Sequence, residues 1–257
     1  MQKTIGIIGG MGPLATYDLF RKIIEKTDAK SDQDHIHICV DCNTNIPDRT
    51  KAILGCGEDP VPEMVRSGVR LKAMGADVLV MPCNTAHYFY DQITPFFDIP
   101  LINMLEETAK EIRRRKYKKI GLLASDGTIQ SGVYHKALMN QGIDWVVPSP
   151  MNQGSVMDVI YNGVKASNRN INLDKFFSTM EELFENGAEV LVLGCTELPI
   201  AFEMFHINKP AIDPTSVLAA AAIRFVNAPL LNQMAAPVDA CIAIADEGKF
   251  EAPCPVR

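Results

Sequence analysis

The chain alternates short, uninterrupted apolar runs with longer segments in which apolar residues recur at helical spacing. The clearest apolar runs are residues 5–8, 78–80, 120–123 and 190–193. Strands without polar alternation are typical of a parallel sheet that helices cover on both faces. Helical spacing occurs in residues 15–26, 65–74, 105–115, 173–186 and 216–227. This pattern predicts an α/β fold built from β-α-β crossovers.

One segment of the chain occurs twice. Residues 75–85 read GADVLVMPCNT and residues 187–197 read GAEVLVLGCTE, so Cys83 aligns with Cys195 at an offset of 112 residues (195 minus 83). Weaker matches flank this pair, since residues 3–8 resemble 118–123 and residues 100–103 resemble 210–213. The period is too long for a solenoid repeat, whose units span roughly 20–50 residues. The repeat therefore predicts two pseudo-symmetric, doubly wound parallel-sheet domains.

The predicted domains are residues 1–105 and 106–215, with an active-site cleft between them. A helix over residues 216–227 can pack back on either domain, the first included, and residues 228–257 form a C-terminal tail. Ligands of open α/β sheets bind at the carboxyl ends of the strands. Cys83 and Cys195 each follow an apolar run closely, so we expect both at that edge of the cleft.

Composition and charge narrow the class of protein. Apolar residues make up 47% and charged residues 22% of the chain, as in ordinary globular proteins. The net charge of -6 argues against a nucleic-acid or membrane-surface partner. No apolar run approaches the roughly 20 residues of a membrane span. We expect a cytoplasmic protein with a small-molecule partner, and seven irregularly spaced cysteines that stay reduced.

The two repeated cysteines suggest a shared chemical role. A single cysteine at such a place is commonly a small buried hydrophobic residue, but its recurrence in both domains favours function. Residues that favour helix N-termini follow each cysteine, and a helix N-terminus lowers the pKa of a nearby thiol. Inverting a carbon centre needs a base on one face and an acid on the other. Two matched thiols across a cleft meet that requirement.

Three motifs then carry a resemblance to a known family. Residues 5–13 (IGIIGGMGP), 83–87 (CNTAH) and 194–199 (GCTELP) together resemble the aspartate/glutamate racemase superfamily, and the aspartate racemase branch most of all. The resemblance implies racemisation of an acidic amino acid by Cys83 and Cys195 without cofactor or metal, in a homodimer. Glu197 stands where the glutamate racemase branch carries a histidine, which favours aspartate.

The same resemblance implies a set of substrate-binding residues. Arg49 and Lys165 would bind the side-chain carboxylate of the substrate, one from each domain. An arginine suits a planar carboxylate and a lysine adds a point charge. The groups that would hold the α-carboxylate and the ammonium are Met11, Asn84, Thr85 and Thr196.

Several alternative functions are also compatible with the sequence. Residues 10–15 (GMGPLA) fit a dinucleotide-binding fingerprint, with Asp41 ending the next predicted strand, so an NAD-dependent dehydrogenase is the main rival. Within the superfamily, a two-cysteine site also suits glutamate racemase, hydantoin racemase and maleate isomerase. A broad-specificity amino-acid racemase is a further alternative, although some members of that type replace the first cysteine with threonine and this chain retains Cys83. A non-enzymatic amino-acid-binding regulator is the remaining interpretation.

A cysteine pair, a histidine and a long connection are three further features of the sequence. Cys39 and Cys42 have C-x-x-C spacing, but on a strand they point to opposite faces, which favours packing over metal or redox chemistry. His87 follows Cys83 by four residues and either tunes that cysteine or caps a helix. The segment 43–63 is too long for an idle connection, so we predict a lid that substrate orders.

Overall fold

The computed structural model describes residues 3–231 of the chain. The strands in this range are β1 (Ile5–Gly9), β2 (Ile38–Cys42), β3 (Val78–Val80), β4 (Lys119–Leu123), β5 (Asp144–Val146), β6 (Val190–Leu193) and β7 (Ala211–Ile212). All four predicted apolar runs form strands. Most of the predicted C-terminal tail, with Cys241 and Cys254, lies outside the described residues.

Helices fill the connections between the strands. They are α1 (Pro13–Lys26), α2 (Arg49–Ile53), α3 (Val61–Ala73), α4 (Tyr90–Ile93), α5 (Met104–Arg114), α6 (Asp126–Ser131), α7 (His135–Asn140), α8 (Pro150–Asp158), α9 (Asp174–Glu185), α10 (Glu197–Met204) and α11 (Pro214–Phe225). Each of the five segments with helical spacing forms a helix. None of the helices in residues 3–231 is both long and apolar enough to cross a membrane.

The strands form two separate parallel sheets. The first has the order β2-β1-β3 and the second has the order β5-β4-β6-β7. In the first sheet Ile7 pairs with Val40 and Val80, and in the second Leu122 pairs with Val192. In both sheets the chain winds outward from the central strand to either side, which places a ligand-binding crevice at the carboxyl end of that strand. The prediction of an α/β fold with two parallel sheets is confirmed.

The internal repeat extends beyond the segments that resemble one another in sequence. Leu191 pairs with Ala211 in β7, and at the equivalent place Leu79 forms a single parallel bridge with Leu101. The next helix then begins at a side-chain cap in both cases, because Asn103 accepts from amides of α5 and Asp213 accepts from an amide of α11. The closing helix α11 is therefore the counterpart of α5. We call β1 to α5 the first repeat unit and β4 to α11 the second.

The two repeat units exchange their last helices. Leu105 and Ile112 of α5 lie in the apolar core of the second sheet. Leu218, Ala222 and Ile223 of α11 lie in the apolar core of the first sheet. The two helices also pack against each other. Because each unit buries its final helix in the other, the two sheets are held by shared cores rather than by a surface contact.

The segment 43–63 differs from the expected long connection. Helix α2 begins at Arg49 within it, because the Asp48 carboxylate accepts from the Lys51 amide as an N-cap. Helix α3 begins at Val61, four residues before the apolar spacing predicts it. Neither helix start was predicted from the sequence, because proline, glycine and charged residues interrupt the apolar spacing of this segment. Whether the segment acts as a lid stays a prediction.

Cys39 and Cys42 behave as the strand geometry predicts. Both lie on β2, where Cys39 is buried in an apolar cluster with Leu71 and Leu79 and Cys42 is exposed. Both thiols are free. Within the part of the chain that the structure describes, no group of three His, Cys, Asp or Glu side chains could hold a metal ion.

A glycine allows the two repeat units to approach closely beside the carboxyl edges of the sheets. Helix α2 of the first unit packs on α6 of the second at Gly127. A Cβ atom at Gly127 would lie 2.7 Å from Thr50 Oγ1 and 2.9 Å from Thr50 Cα. Because the second contact is with the backbone, rotation of the Thr50 side chain cannot relieve it.

We expect Gly127→Ala to lower the free energy of unfolding by about 1–3 kcal/mol, since overpacking forces the backbones apart. Denaturant titration of the purified protein measures this change. Gly154→Ala is the matched control, because a Cβ in the middle of α8 meets nothing within 4 Å. This control should raise stability by about 0.5–1 kcal/mol through helix propensity. A Gly127→Ala protein as stable as the control would contradict the close α2–α6 contact.

Candidate active site

A small cavity lies where the carboxyl ends of the two sheets face each other. Its volume is about 20 Å³, somewhat more than the roughly 10–15 Å³ that one water molecule needs. The lining residues are Met11, Asp48, Arg49, Thr50, Cys83, Asn84, Thr85, Ser125, Ile160, Tyr161, Lys165, Cys195, Thr196 and Glu197. All eight residues that the sequence suggested as site residues are in this set, and both repeat units contribute to it.

Arg49 is anchored by backbone carbonyl groups. Its guanidinium donates to the carbonyl oxygens of Met11 (3.0 Å), Ile46 (3.3 Å) and Pro47 (2.9 Å). The Nε atom is buried and has no hydrogen-bond partner among the described residues. Burial alone would lower the pKa of Arg49, but the neighbouring Cys83 and Asp48 outweigh burial and raise it. The charged group is therefore fixed in position beside Cys83.

Met11 lies at a turn that only a glycine permits. Gly10 has a φ of 92°, and a Cβ atom there would lie 2.3 Å from the carbonyl oxygen of Asn43. The turn carries Met11 from the end of β1 into the cavity lining. The carbonyl oxygen of Met11 accepts a hydrogen bond from the Arg49 guanidinium. The backbone of Met11 therefore contributes to the site by holding the arginine in position.

His87 holds the backbone of Cys83 through a hydrogen bond to its carbonyl oxygen. The Met104 amide donates to His87 Nε2 at 3.1 Å, so Nε2 carries no proton and Nδ1 donates to the Cys83 carbonyl oxygen at 2.8 Å. Burial lowers the pKa of His87 to about 4. This neutral histidine caps the first turn of α5 and fixes the backbone of Cys83 without touching its thiol.

Cys195 has a carboxylate as its direct neighbour. Its Sγ donates to Glu197 Oε2 at 3.0 Å, and both side chains are buried. Burial raises the pKa of Cys195 well above its usual range, and the charge of Glu197 raises it further. The predicted lowering of this pKa by the following helix is wrong for Cys195, because burial and the carboxylate outweigh the helix N-terminus. Cys195 is a protonated thiol at neutral pH.

Lys165 lies at the end of a π-helical segment, Val159–Lys165, which continues α8. Such wide turns are rare and occur often at functional sites. The Nζ atom is 3.7 Å from Glu197 Oε1 and 4.6 Å from the centre of the Tyr161 ring. Burial alone would lower the pKa of Lys165, but Glu197 and Cys195 outweigh burial and raise it. The ammonium therefore stays charged inside the cavity.

Hydroxyl groups join the two repeat units at the cavity wall. Thr85 Oγ1 lies 2.8 Å from Thr128 Oγ1 and 3.1 Å from Ser125 Oγ, and all three side chains are buried. Thr196, at the N-terminal boundary of α10, is also buried, and its hydroxyl lies 3.4 Å from Glu197 Oε2. Ser125 is not among the site residues predicted from the sequence. It lies two residues after the end of β4, the counterpart of β1, and this place at a strand end is the signal that could have identified it.

Comparison with known proteins identifies the family to which the chain belongs. Residues 8–222 match the family described as Asp/Glu/Hydantoin racemase. The chain belongs to this family. It is 28% identical to the broad specificity amino-acid racemase RacX of Bacillus subtilis (strain 168) over 224 residues, which cover 85% of this chain and 96% of that protein.

Solved structures of racemases have the same fold. The aspartate racemase of Picrophilus torridus superimposes with a TM-score of 0.79 at 32% identity, covering 89% of this chain and 96% of that one. Glutamate racemase of Francisella tularensis in complex with D-glutamate gives a TM-score of 0.64 at 16% identity, covering 88% and 81%. The second likeness concerns the fold alone.

Membership of the racemase family argues against the dehydrogenase interpretation. The glycine turn after β1 serves to bring Met11 and Arg49 to the cavity, as described above. Asp41, which a dinucleotide site would use for a ribose, lies 3.5 Å from Arg70 on the neighbouring helix α3. Both features of the fingerprint therefore have other roles in this racemase fold.

We expect the low pKa of His87 to make stability depend on pH. The unfolded chain takes up a proton near pH 6.5, but the folded protein resists protonation down to about pH 4. Stability is therefore lost as the pH falls through this window, by about 3 kcal/mol in total. His87→Asn retains a donor to Cys83 and lacks the titrating group. Denaturant titrations from pH 7 to 4 should show the stability gap between wild type and this variant narrowing, and a constant gap would contradict the assignment.

The neighbours of Cys195 should shift its reactivity in opposite directions. Glu197→Gln removes a negative charge, so the pKa of Cys195 should fall, whereas Lys165→Gln removes a positive charge, so that pKa should rise. Iodoacetamide labelling between pH 7 and 11, followed by peptide mass spectrometry, measures the midpoint for this thiol. The exposed Cys56 is an internal control whose midpoint should stay the same in every variant. Equal midpoints for Cys195 in all three proteins would refute the electrostatic coupling.

Proposed function

We propose that this protein is a cofactor-independent amino-acid racemase in which Cys83 and Cys195 are the two acid/base groups. The observation that carries the proposal is that equivalent cysteines of the two repeat units line one cavity. Each follows the strand next to the central strand of its sheet, β3 or β6. Membership of the racemase family supports the same chemistry.

The charges of the cavity support an acidic substrate, with aspartate favoured. Arg49 and Lys165 both stay charged in a lining that contains only two carboxylates, Asp48 and Glu197. The Asp48 carboxylate is engaged as a helix cap. Lys165 and the Nε atom of Arg49 can therefore bind the carboxylates of a dicarboxylic amino acid. Similarity to an aspartate racemase supports this preference.

In the proposed reaction, one cysteine acts as a thiolate and the other as a thiol. The thiolate takes the α-proton, an S–H bond forms as the C–H bond breaks, and the electron pair moves toward the α-carboxylate. Buried hydrogen-bond donors stabilise the charge that develops there. The opposite thiol then delivers its proton to the other face of the carbon. After one turnover the two cysteines have exchanged protonation states.

The surroundings of the two thiols support different starting roles. Cys195 begins as the proton donor, because burial and Glu197 keep its pKa high. Cys83, which contacts the cationic guanidinium of Arg49, begins as the base. After a turnover Cys83 carries the proton and Cys195 is the thiolate, so reaction with the opposite enantiomer restores the starting state. In that starting state the Glu197 carboxylate accepts the hydrogen bond of the Cys195 thiol at 3.0 Å.

Substrate entry requires the cavity to open. Its volume of about 20 Å³ is smaller than any amino acid. Helix α2 supplies Arg49 and Thr50 to the lining and packs on α6. We infer that displacement of the segment around α2 admits the substrate, consistent with the lid predicted for residues 43–63.

A broad-specificity racemase is the second candidate. The similarity to RacX of Bacillus subtilis extends over nearly the whole of that protein. Chiral chromatography after incubation with L-aspartate, L-glutamate and a panel of neutral amino acids separates the two candidates. Aspartate preference predicts turnover of aspartate at least tenfold faster than of any neutral amino acid. Comparable rates with neutral amino acids would favour broad specificity, and no turnover of any amino acid would contradict the proposal.

We expect Cys83→Ala and Cys195→Ala each to lower racemisation by roughly 10²–10⁴-fold or more, since each removes one proton-transfer group. Cys195→Ala, which retains Cys83 as the base, should still exchange the α-proton of one enantiomer with deuterium from solvent, whereas Cys83→Ala, which retains only the protonated Cys195 thiol, should exchange neither enantiomer at neutral pH. Mass spectrometry after chiral separation measures this exchange. Cys56→Ala, at an exposed thiol, is the control and should retain wild-type activity. Near wild-type racemisation by either alanine variant would contradict the two-thiol mechanism.

A further inference from the structure

Asn84 has an unusual hydrogen-bonding pattern. The side chain follows Cys83, lines the cavity and is 1% exposed. Its Oδ1 accepts from the Tyr134 hydroxyl at 2.5 Å. Its Nδ2 is buried and has no hydrogen-bond partner among residues 3–231. A buried donor without a partner is unfavourable, and such groups are rare in native proteins.

Tyr134 reaches this amide from the second repeat unit. It directly precedes α7, is 1% exposed and lies in the apolar core that also contains Leu138 and Ile120. Burial raises the pKa of Tyr134 far above its usual value, so the phenol is protonated at neutral pH. The hydroxyl group donates to Asn84 Oδ1, and the packing of the second sheet holds the ring in that position.

A fixed donor on one side determines what the amide presents on the other. Rotation of the Asn84 amide by 180° exchanges its oxygen with its nitrogen. When the oxygen accepts the Tyr134 proton, the NH₂ group points away from Tyr134 and stays available to a ligand. Arg49 Nε is the second buried donor of the lining without a partner. Two such donors match a group that only accepts hydrogen bonds, which for an amino acid is a carboxylate.

We propose that Tyr134 is a positioning residue that orients Asn84 so that its amide donates to a carboxylate of the substrate. The inference rests on the proposed function of the cavity as an amino-acid site. It gives the second repeat unit control over a substrate contact made by the first. Tyr134 does not itself touch the substrate, because it lies behind Asn84 in the core and is not part of the cavity lining.

The experiment measures binding of succinate, an unreactive dicarboxylate, by calorimetry, together with kcat and KM for L-aspartate. Tyr134→Phe should weaken succinate binding about 5–30-fold and raise KM by a similar factor, with kcat changed less, because the amide is no longer oriented. Asn84→Ala should weaken binding at least as much. Tyr117→Phe, in a tyrosine packed against the same core, is the matched control and should bind like wild type.

The double variant separates positioning from packing. If Tyr134 acts through Asn84, then Tyr134→Phe in the Asn84→Ala background should cause no further loss of succinate binding. Losses that multiply would overturn the proposal, as would wild-type binding by the Tyr134→Phe protein.

Asn84→Asp provides a test that leaves Tyr134 intact. The aspartate can still accept from Tyr134, but it presents an acceptor to the cavity instead of a donor. Succinate binding should fall by more than in Asn84→Ala, and unchanged binding would overturn the donor role. A wild-type protein that binds succinate with these variant effects but racemises nothing would refute the proposed function and leave the positioning role supported. A wild-type protein that neither binds nor racemises would overturn both.

Discussion

The exchange of helices α5 and α11 is the constraint on which the rest of the structure depends. Each helix completes the apolar core of the sheet that belongs to the other repeat unit. Neither sheet can bury its apolar face without the other unit, so the two cannot drift apart without exposing a core. This holds the carboxyl edges of both sheets face to face. The short contacts of Thr85 with Ser125 and of Thr50 with Gly127 are possible because the separation between the two sheet edges is fixed.

Within this symmetric frame the chemistry is asymmetric. Thr85 and Glu197 occupy equivalent positions two residues after their cysteines, yet one side chain is a hydroxyl that joins the units and the other is a buried carboxylate. Arg49 accompanies Cys83, whereas Lys165 lies beside the carboxylate that contacts Cys195. The repeat supplies two equivalent positions for the thiols, and the surrounding side chains make their proton affinities unequal.

The sequence predicted the features that depend on local pattern and repetition. Buried strands have continuous apolar runs, and the duplicated cysteine segment placed Cys83 and Cys195 at equivalent strand ends. Features that depend on tertiary packing were not predicted. The spacing of residues 105–115 and 216–227 indicates helices, but nothing local shows which sheet they cover. The π-helical turn that carries Lys165 and the contact between Cys195 and Glu197 depend on how buried groups meet in space. The contact between Tyr134 and Asn84 joins residues fifty positions apart, beyond the reach of any local pattern.

The exchanged helices also describe how such a chain can originate. A protein of half this length, with one sheet, one cysteine motif and one protruding terminal helix, would leave its own core incomplete. Two copies of it would complete each other by trading that helix, which is domain swapping in a twofold dimer. Fusion of the two copies by gene duplication would yield the present connectivity without a change in packing. The two copies could then diverge one side chain at a time, from a site with two identical thiols to one in which the surroundings of the two thiols differ.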